Sequence, residues 1–280
     1  MYYVMLIISA LLFSLQFLFN DGYKKESGST LQSSLKFSLY TSVSGLILLL
    51  IINKFHFEFS WFSLAVALVH AVVCILFSYC TVKAFESASI SVYSVFSMIG
   101  GMVLPFLFGL VMGEEFKVVR VVCCLIIVAA IILTSDKSGK HRGGFKYYIS
   151  VFLLNGIIGI VSKLHQASPT LCVDSASFMM ISKMWMILIA STLLFIKGRK
   201  YAVSKKAALF CGIYAIVNST GNLLALIALL ALPASVQYPL ITGGTMFFAL
   251  IIAVVRRDKI TAKDVLGTVL AMVATVVIVL

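Results

Sequence analysis

A chain of 280 residues in which 61% are hydrophobic and 11% charged has too little polar surface for a water-soluble domain. Its net charge of +12 would suit a nucleic-acid-binding protein, but the basic residues sit in short connections between apolar runs, so anionic lipid headgroups are the expected partner and nucleic acid is not. Six cysteines, Cys74, Cys80, Cys123, Cys124, Cys172 and Cys211, lie mostly inside those runs with no CxxC pair, which argues against a disulfide framework or a metal site.

Ten apolar runs of about 20 residues are predicted as membrane-spanning helices, each long enough to cross ~30 Å of hydrocarbon. The first, residues 2–19, has no basic n-region or small-residue cleavage site and reads as a span; it carries Ser9, Ser14 and Gln16. The second (32–52) holds Lys36 near its start, and the third (61–83) holds His70, Ser78 and Tyr79. In the fourth (90–112) stand Tyr93, Ser94, Ser97 and the pair Gly100 and Gly101, whereas the fifth (118–134) is almost bare of polar groups. The sixth (146–164) offers Asn155 and ends near Lys163, and the seventh (176–196) contains Lys183. The eighth (207–227) has the densest polar set, Tyr214, Asn218, Ser219, Thr220 and Asn222. Gln237, Tyr238, Pro239, Thr242, Gly243 and Gly244 mark the ninth (233–255), and the tenth (264–280) is apolar except for Thr268 and Thr275.

Charge assigns the loops to sides. The odd-numbered connections hold 16 Lys and Arg residues against 4 in the even-numbered ones, so the positive-inside rule places the odd connections in the cytosol and both termini outside.

The second half repeats the first. Lys36-Phe37 matches Lys183-Met184 at an offset of 147 residues, His70 falls on Tyr214 and Ser78 on Asn222 at 144, and Gly100-Gly101 falls on Gly243-Gly244 at 143. Five spans per copy is an odd number, so the copies, residues 1–140 and 141–280, are expected to face opposite ways across the bilayer. The fold class expected is an all-α integral membrane protein of ten transmembrane helices built as two inverted five-helix repeats.

Short motifs along nearly the whole chain carry a family likeness. They are Phe13-Ser14-Leu15-Gln16-Phe17 in the first span, Lys36-Phe37 opening the second, Ala84-Phe85 and Ala228-Leu229, Gly113-Glu114-Glu115, and Pro239. In these the chain resembles the ten-helix EamA-type branch of the drug/metabolite transporter superfamily. It departs from that pattern where Phe13 replaces a Trp, where Arg257-Asp258 replaces a second Gly-Glu, and in a charge bias opposite to the family's usual cytosolic termini. The resemblance implies a central cavity lined by the first, third, fourth, sixth, eighth and ninth spans. Polar side chains at mid-span are costly in lipid, and they concentrate on those six.

The substrate-binding candidates are accordingly Gln16, His70, Tyr79, Tyr93, Ser97, Asn155, Tyr214, Asn218, Asn222, Gln237 and Tyr238. Tyr214, Asn218 and Asn222 recur every four residues and share a helix face, which suits either a cavity wall or an interhelical hydrogen-bond ladder. His70 would suit proton coupling if it faces water, or a neutral hydrogen bond between helices if it does not. Lys36 and Lys183 recur at matching places in the two copies; they either snorkel to the interface or gate the cavity and attract a carboxylate. The glycine pairs suit close helix packing. All ten acids lie in or beside connections, which disfavours exchange of protons for organic cations on a membrane-embedded carboxylate.

The expected function is secondary transport, as an exporter, of a small polar metabolite such as an amino acid or related weak acid, by alternating access between the repeats. The alternative is a sensor or assembly partner that keeps the fold and moves nothing. No enzyme is expected, since no nucleophile–base pair, metal constellation or phosphate loop stands out; no cofactor is expected either. The partners are a small-molecule solute and membrane lipids, the acting unit a monomer, and the location a bacterial inner membrane.

Overall fold

The computed structural model describes residues 1–28, 30–87, 90–134, 145–168, 170–198, 201–257 and 260–279, without the side chains of 82, 84–87, 90–95, 134, 145 and 279. Among the described residues there are ten helices: α1 (Tyr2–Ser27), α2 (Leu31–Ile52), α3 (Trp61–Ser87), α4 (Ile90–Val111), α5 (Val118–Thr134), α6 (Phe145–Gln166), α7 (Ser175–Ile196), α8 (Lys205–Leu229), α9 (Ala234–Val255) and α10 (Ala262–Val279). Seven are long and apolar enough to cross a membrane, and Phe96–Val111 and Val118–Leu133 are shorter apolar helical stretches. The chain is a multi-pass helical membrane protein.

Local chemistry sets the helix ends. Thr30, Asp174 and Ser204 each accept hydrogen bonds from backbone amides in the first turns of α2, α7 and α8, at 2.8 to 3.1 Å. At the start of α10, Thr261 and Asp264 cap reciprocally: Asp264 N–H donates to Thr261 Oγ1 and Thr261 N–H to Asp264 Oδ2. The largest departure from the sequence reading is α1, which runs on past residue 19 to Ser27. Polar residues alone do not end a helix. Lys25 pairs with Asp21 one turn earlier at 2.7 Å, and the helix stops only where Gly28 takes φ +74° and returns its amide to Lys24 O.

Packing joins the first five helices to the last five far more than either set to itself. α1 lies against α8 and α9, and α6 against α3 and α4; α2 meets α7 and α8, and α7 meets α2 and α3; α4 meets α9, and α5 meets α10. Exchanging α1–α5 with α6–α10 turns these pairs into one another. Glycine makes the tightest of the crossings: a Cβ on Gly100 would strike the backbone carbonyl of Phe152 on α6, and one on Gly243 would strike Thr275 on α10. Gly100 and Gly243 therefore permit close packing, as the sequence reading expects of the glycine pairs.

Two apolar cores result. One gathers Leu49, Phe178, Met180 and Leu226 where α2, α7 and α8 meet, and the other gathers Met102, Cys124, Ile127, Ala271 and Ala274 around α4, α5 and α10. Large apolar residues such as Ile47, Val69, Leu125, Leu188, Ile216 and Val273 point outward, exposed on the protein surface. Nothing in that exterior suits water, and hydrocarbon would cover it without cost.

Candidate functional site

Between the two sets of helices lies a cavity of about 380 Å³. Its wall comes from α1, α2, α3, α4, α6, α7, α8 and α9 and, among the described residues, takes nothing from α5 or α10. Its lining includes exposed Gly28 in the α1–α2 connection as well as buried Phe178, Leu229 and Gln237.

Nine of the eleven substrate-binding candidates stand in this wall: Gln16, His70, Ser97 and Asn155 among them, with Tyr214, Asn218, Asn222, Gln237 and Tyr238. Tyr79 is not in the wall, and the side chain of Tyr93 lies outside the described residues. The wall groups are tied to one another across helices. Asn218 Nδ2 donates to Gln16 Oε1 at 2.7 Å, and Asn222 Nδ2 donates to the carbonyl of Asn218 at 2.8 Å. The eighth helix thus carries a cavity wall and a ladder to α1 at once, so the two readings of its polar stripe describe one object. Asn155 Nδ2 donates to Ser97 O at 2.7 Å, Tyr238 O–H to Gly159 O at 2.9 Å and Gln237 Nε2 to Ala225 O at 2.9 Å. His70, half-buried, is held by a hydrogen bond of 2.7 Å between its Nδ1 and Ser182 Oγ, with its ring edge-on to Phe178.

The two lysines part company. Lys36 starts five residues inside α2 and carries its ammonium back out, donating to Ala202 O at 2.7 Å in the connection before α8. Lys183 is eight residues inside α7, ~12 Å along its axis, and stays in the cavity wall. The equivalence of the pair in sequence is not kept in space, because α2's shorter offset puts the interface within reach of one stem and not of the other.

α2 and α7 themselves were not expected in the wall, yet Ser34, Ser38 and Thr41 of α2 and Phe178, Ser182 and Lys183 of α7 all line it. A signal was present. Ser34, Ser38 and Thr41 follow a helical period and put hydroxyls on one face of an apolar span. Ser34 Oγ and Ser78 Oγ of α3 lie 2.7 Å apart.

A charged latch ties α6, the α4–α5 connection and the start of α9 together. Lys163 Nζ of α6 meets Glu114 Oε1, in the α4–α5 connection, at 2.8 Å, with side chains only 13% and 10% exposed. The same carboxylate accepts the amides of Ala234 and Ser235 at 2.7 and 2.9 Å, capping α9, whose own N-cap residue Pro233 has no side-chain donor or acceptor to offer. Burial alone would push the Glu114 carboxyl upward, but the Lys163 ammonium and the Ser235 and Ala234 hydrogen bonds together outweigh it and hold the group below the usual carboxylate range. Arg120 of α5 adds a 3.2 Å hydrogen bond to Ser235 Oγ. The sequence alone places Lys163 at the end of the sixth span and Glu114 in a short motif without joining them; a capping contact between segments 120 residues apart leaves no local pattern.

Comparison with known proteins adds the fold and nothing finer. No protein-family model and no curated protein matches the chain. Among solved structures 28 chains match; one of them, a crystal structure of a protein whose description names no activity, aligns with a TM-score of 0.72 at 12% identity over 99% of this chain and 95% of that one. The ten-helix arrangement is therefore one already seen in a solved protein.

Proposed function

We propose that the chain is a secondary transporter of a small polar metabolite, of the EamA-type branch of the drug/metabolite transporter superfamily that its motifs resemble. The observation that carries this reading is a cavity built from both halves of the chain, with amide, hydroxyl and lysine side chains set in a largely apolar wall, inside an exterior rich in exposed apolar residues. The exchange symmetry of the helix pairs, together with five spans per half, supports an inverted repeat, in which rocking one half against the other opens the cavity to each side in turn.

In that scheme the conformation has a direction. The α1–α2 connection, which the cavity reaches, is on the basic side assigned to the cytosol, and the Glu114–Lys163 latch belongs to an even-numbered connection, on the opposite side in this scheme. This is the state in which an exporter loads. Its test is counterflow of labelled metabolites in liposomes holding the purified protein: Asn222→Ala and Tyr214→Phe are expected to reduce the exchange at least tenfold with an unchanged size-exclusion profile. Binding of a partner protein without any flux would support the sensor or assembly reading instead.

A further inference from the structure

We infer that Lys183 is the docking point for a single anionic group, and that the solute is a monocarboxylate with an apolar body, not a zwitterion or a cation. This rests on the transporter reading only for what the site is used for; the site itself rests on the cavity. The Lys183 ammonium has no hydrogen-bond partner among the described residues, and no Asp or Glu stands among the residues that line the cavity. An ammonium in a cavity inside the membrane is favoured by a counter-charge, and among the described residues that line this cavity none supplies one.

Gly45 of α2 lets a hydroxyl approach that amine. A Cβ there would strike Ser219 Oγ at 2.6 Å and would only touch Lys183 Nζ, at 3.7 Å, so glycine is what allows Ser219 to sit on the same spot of α2 as the lysine end. Ser219 Oγ is fully buried without a hydrogen-bond partner among the described residues, which places a free hydroxyl beside the ammonium. The nearby His70 and Ser182 are engaged with each other. A carboxylate meeting Lys183 would gain a charge-assisted bond, and an ammonium carried on the same solute would meet a lysine and no acid.

The remainder of the wall chooses the body. Phe37 packs edge-on to Tyr214 with ring centroids 4.7 Å apart, and Phe13, Phe178, Met179 and Met186 add apolar surface. Aromatic faces and thioethers favour an aromatic or branched aliphatic group over a polyol. A space of about 380 Å³ is at the small end of ligand pockets.

The experiment is a thermal-shift titration of the purified, detergent-solubilised protein with benzoate, phenylacetate and 2-oxoisocaproate, against benzamide, phenylacetamide and benzylamine as neutral and cationic counterparts. Binding to the folded state raises the melting temperature. The carboxylates are expected to do so saturably and their counterparts not. Lys183→Met is expected to raise the ligand-free melting temperature, because an unpaired charge is removed, and to weaken the carboxylate effect at least tenfold; Lys183→Arg should keep part of it. Equal shifts from amides and acids in the wild type, or a Lys183→Met protein that still responds as the wild type does, would overturn the inference. If Lys183→Met does not fold, the acid–amide comparison in the wild type decides alone. Carboxylate binding that depends on Lys183 without flux in liposomes would leave this site standing and remove the transporter reading. Flux of neutral or cationic solutes that is indifferent to Lys183 would do the reverse.

Discussion

Glu114 shows how much one side chain can be asked to hold. It balances a nearly buried ammonium and closes the first turn of a helix whose own N-cap is a proline. Replacing it by glutamine leaves Lys163 buried without its partner, a loss on the order of 3 kcal/mol. The expected result is a clear fall in melting temperature, with much of it regained in Glu114→Gln combined with Lys163→Met; equal stability of the single variant and the wild type would remove the latch. The pH dependence has a definite sign. A carboxyl held below its ordinary value of 4.5 in the folded protein contributes stability that is fully present above pH 4.5. That contribution is lost as pH falls through the depressed value. A melting-temperature profile from pH 7 down to pH 3 should therefore lose a contribution at its acid end that Glu114→Gln never had.

At the scale of the helix, glycines with and without neighbours make opposite predictions. Gly100 presses on the Phe152 carbonyl, a backbone atom that cannot turn aside. Gly100→Ala should force α4 from α6 and cost about 1–3 kcal/mol, seen as a lowered melting temperature. Gly212 in α8 has nothing within 4 Å of its Cβ position, so Gly212→Ala should be neutral or stabilise by up to about 1 kcal/mol. The helices themselves were legible from runs of apolar residues, since a span has to satisfy its backbone internally whatever its neighbours are. Their ends were legible less often. Nothing in the composition near residue 19 foretells that α1 continues to Ser27, because the pairing of Asp21 with Lys25 makes polar residues good helix partners.

Across the whole molecule, the site was legible where its residues were expensive to place and illegible where they were cheap. Asn155, Asn218, Asn222 and Gln237 stand out in an apolar span, and all four line the cavity. Serines and threonines are easily satisfied by their own helix, so the stripe on α2 went unread, and Tyr79 was indistinguishable from a wall residue by sequence alone. Lys36 and Lys183 look alike until the distance from each to the nearest helix end is known. Accessibility tests the molecular scheme directly. In a background with Cys74, Cys80 and Cys172 replaced by alanine, the partly exposed native cysteines, Asn218→Cys should react with a membrane-impermeant thiol reagent added on the side of the basic loops and should be protected from the other side. Equal labelling from both sides, or from neither, would contradict a single sealed end.

The borrowed cap on α9 carries a last consequence. Two amides at the tip of that helix are satisfied by a carboxylate that belongs to another segment. Any movement that parts those segments strips the tip bare, and a bare N-terminus is partly positive. Under the proposed alternating access, a doorway made this way would turn attractive to a negative passenger at the instant it unlocks, and would shed that pull when Glu114 swings home.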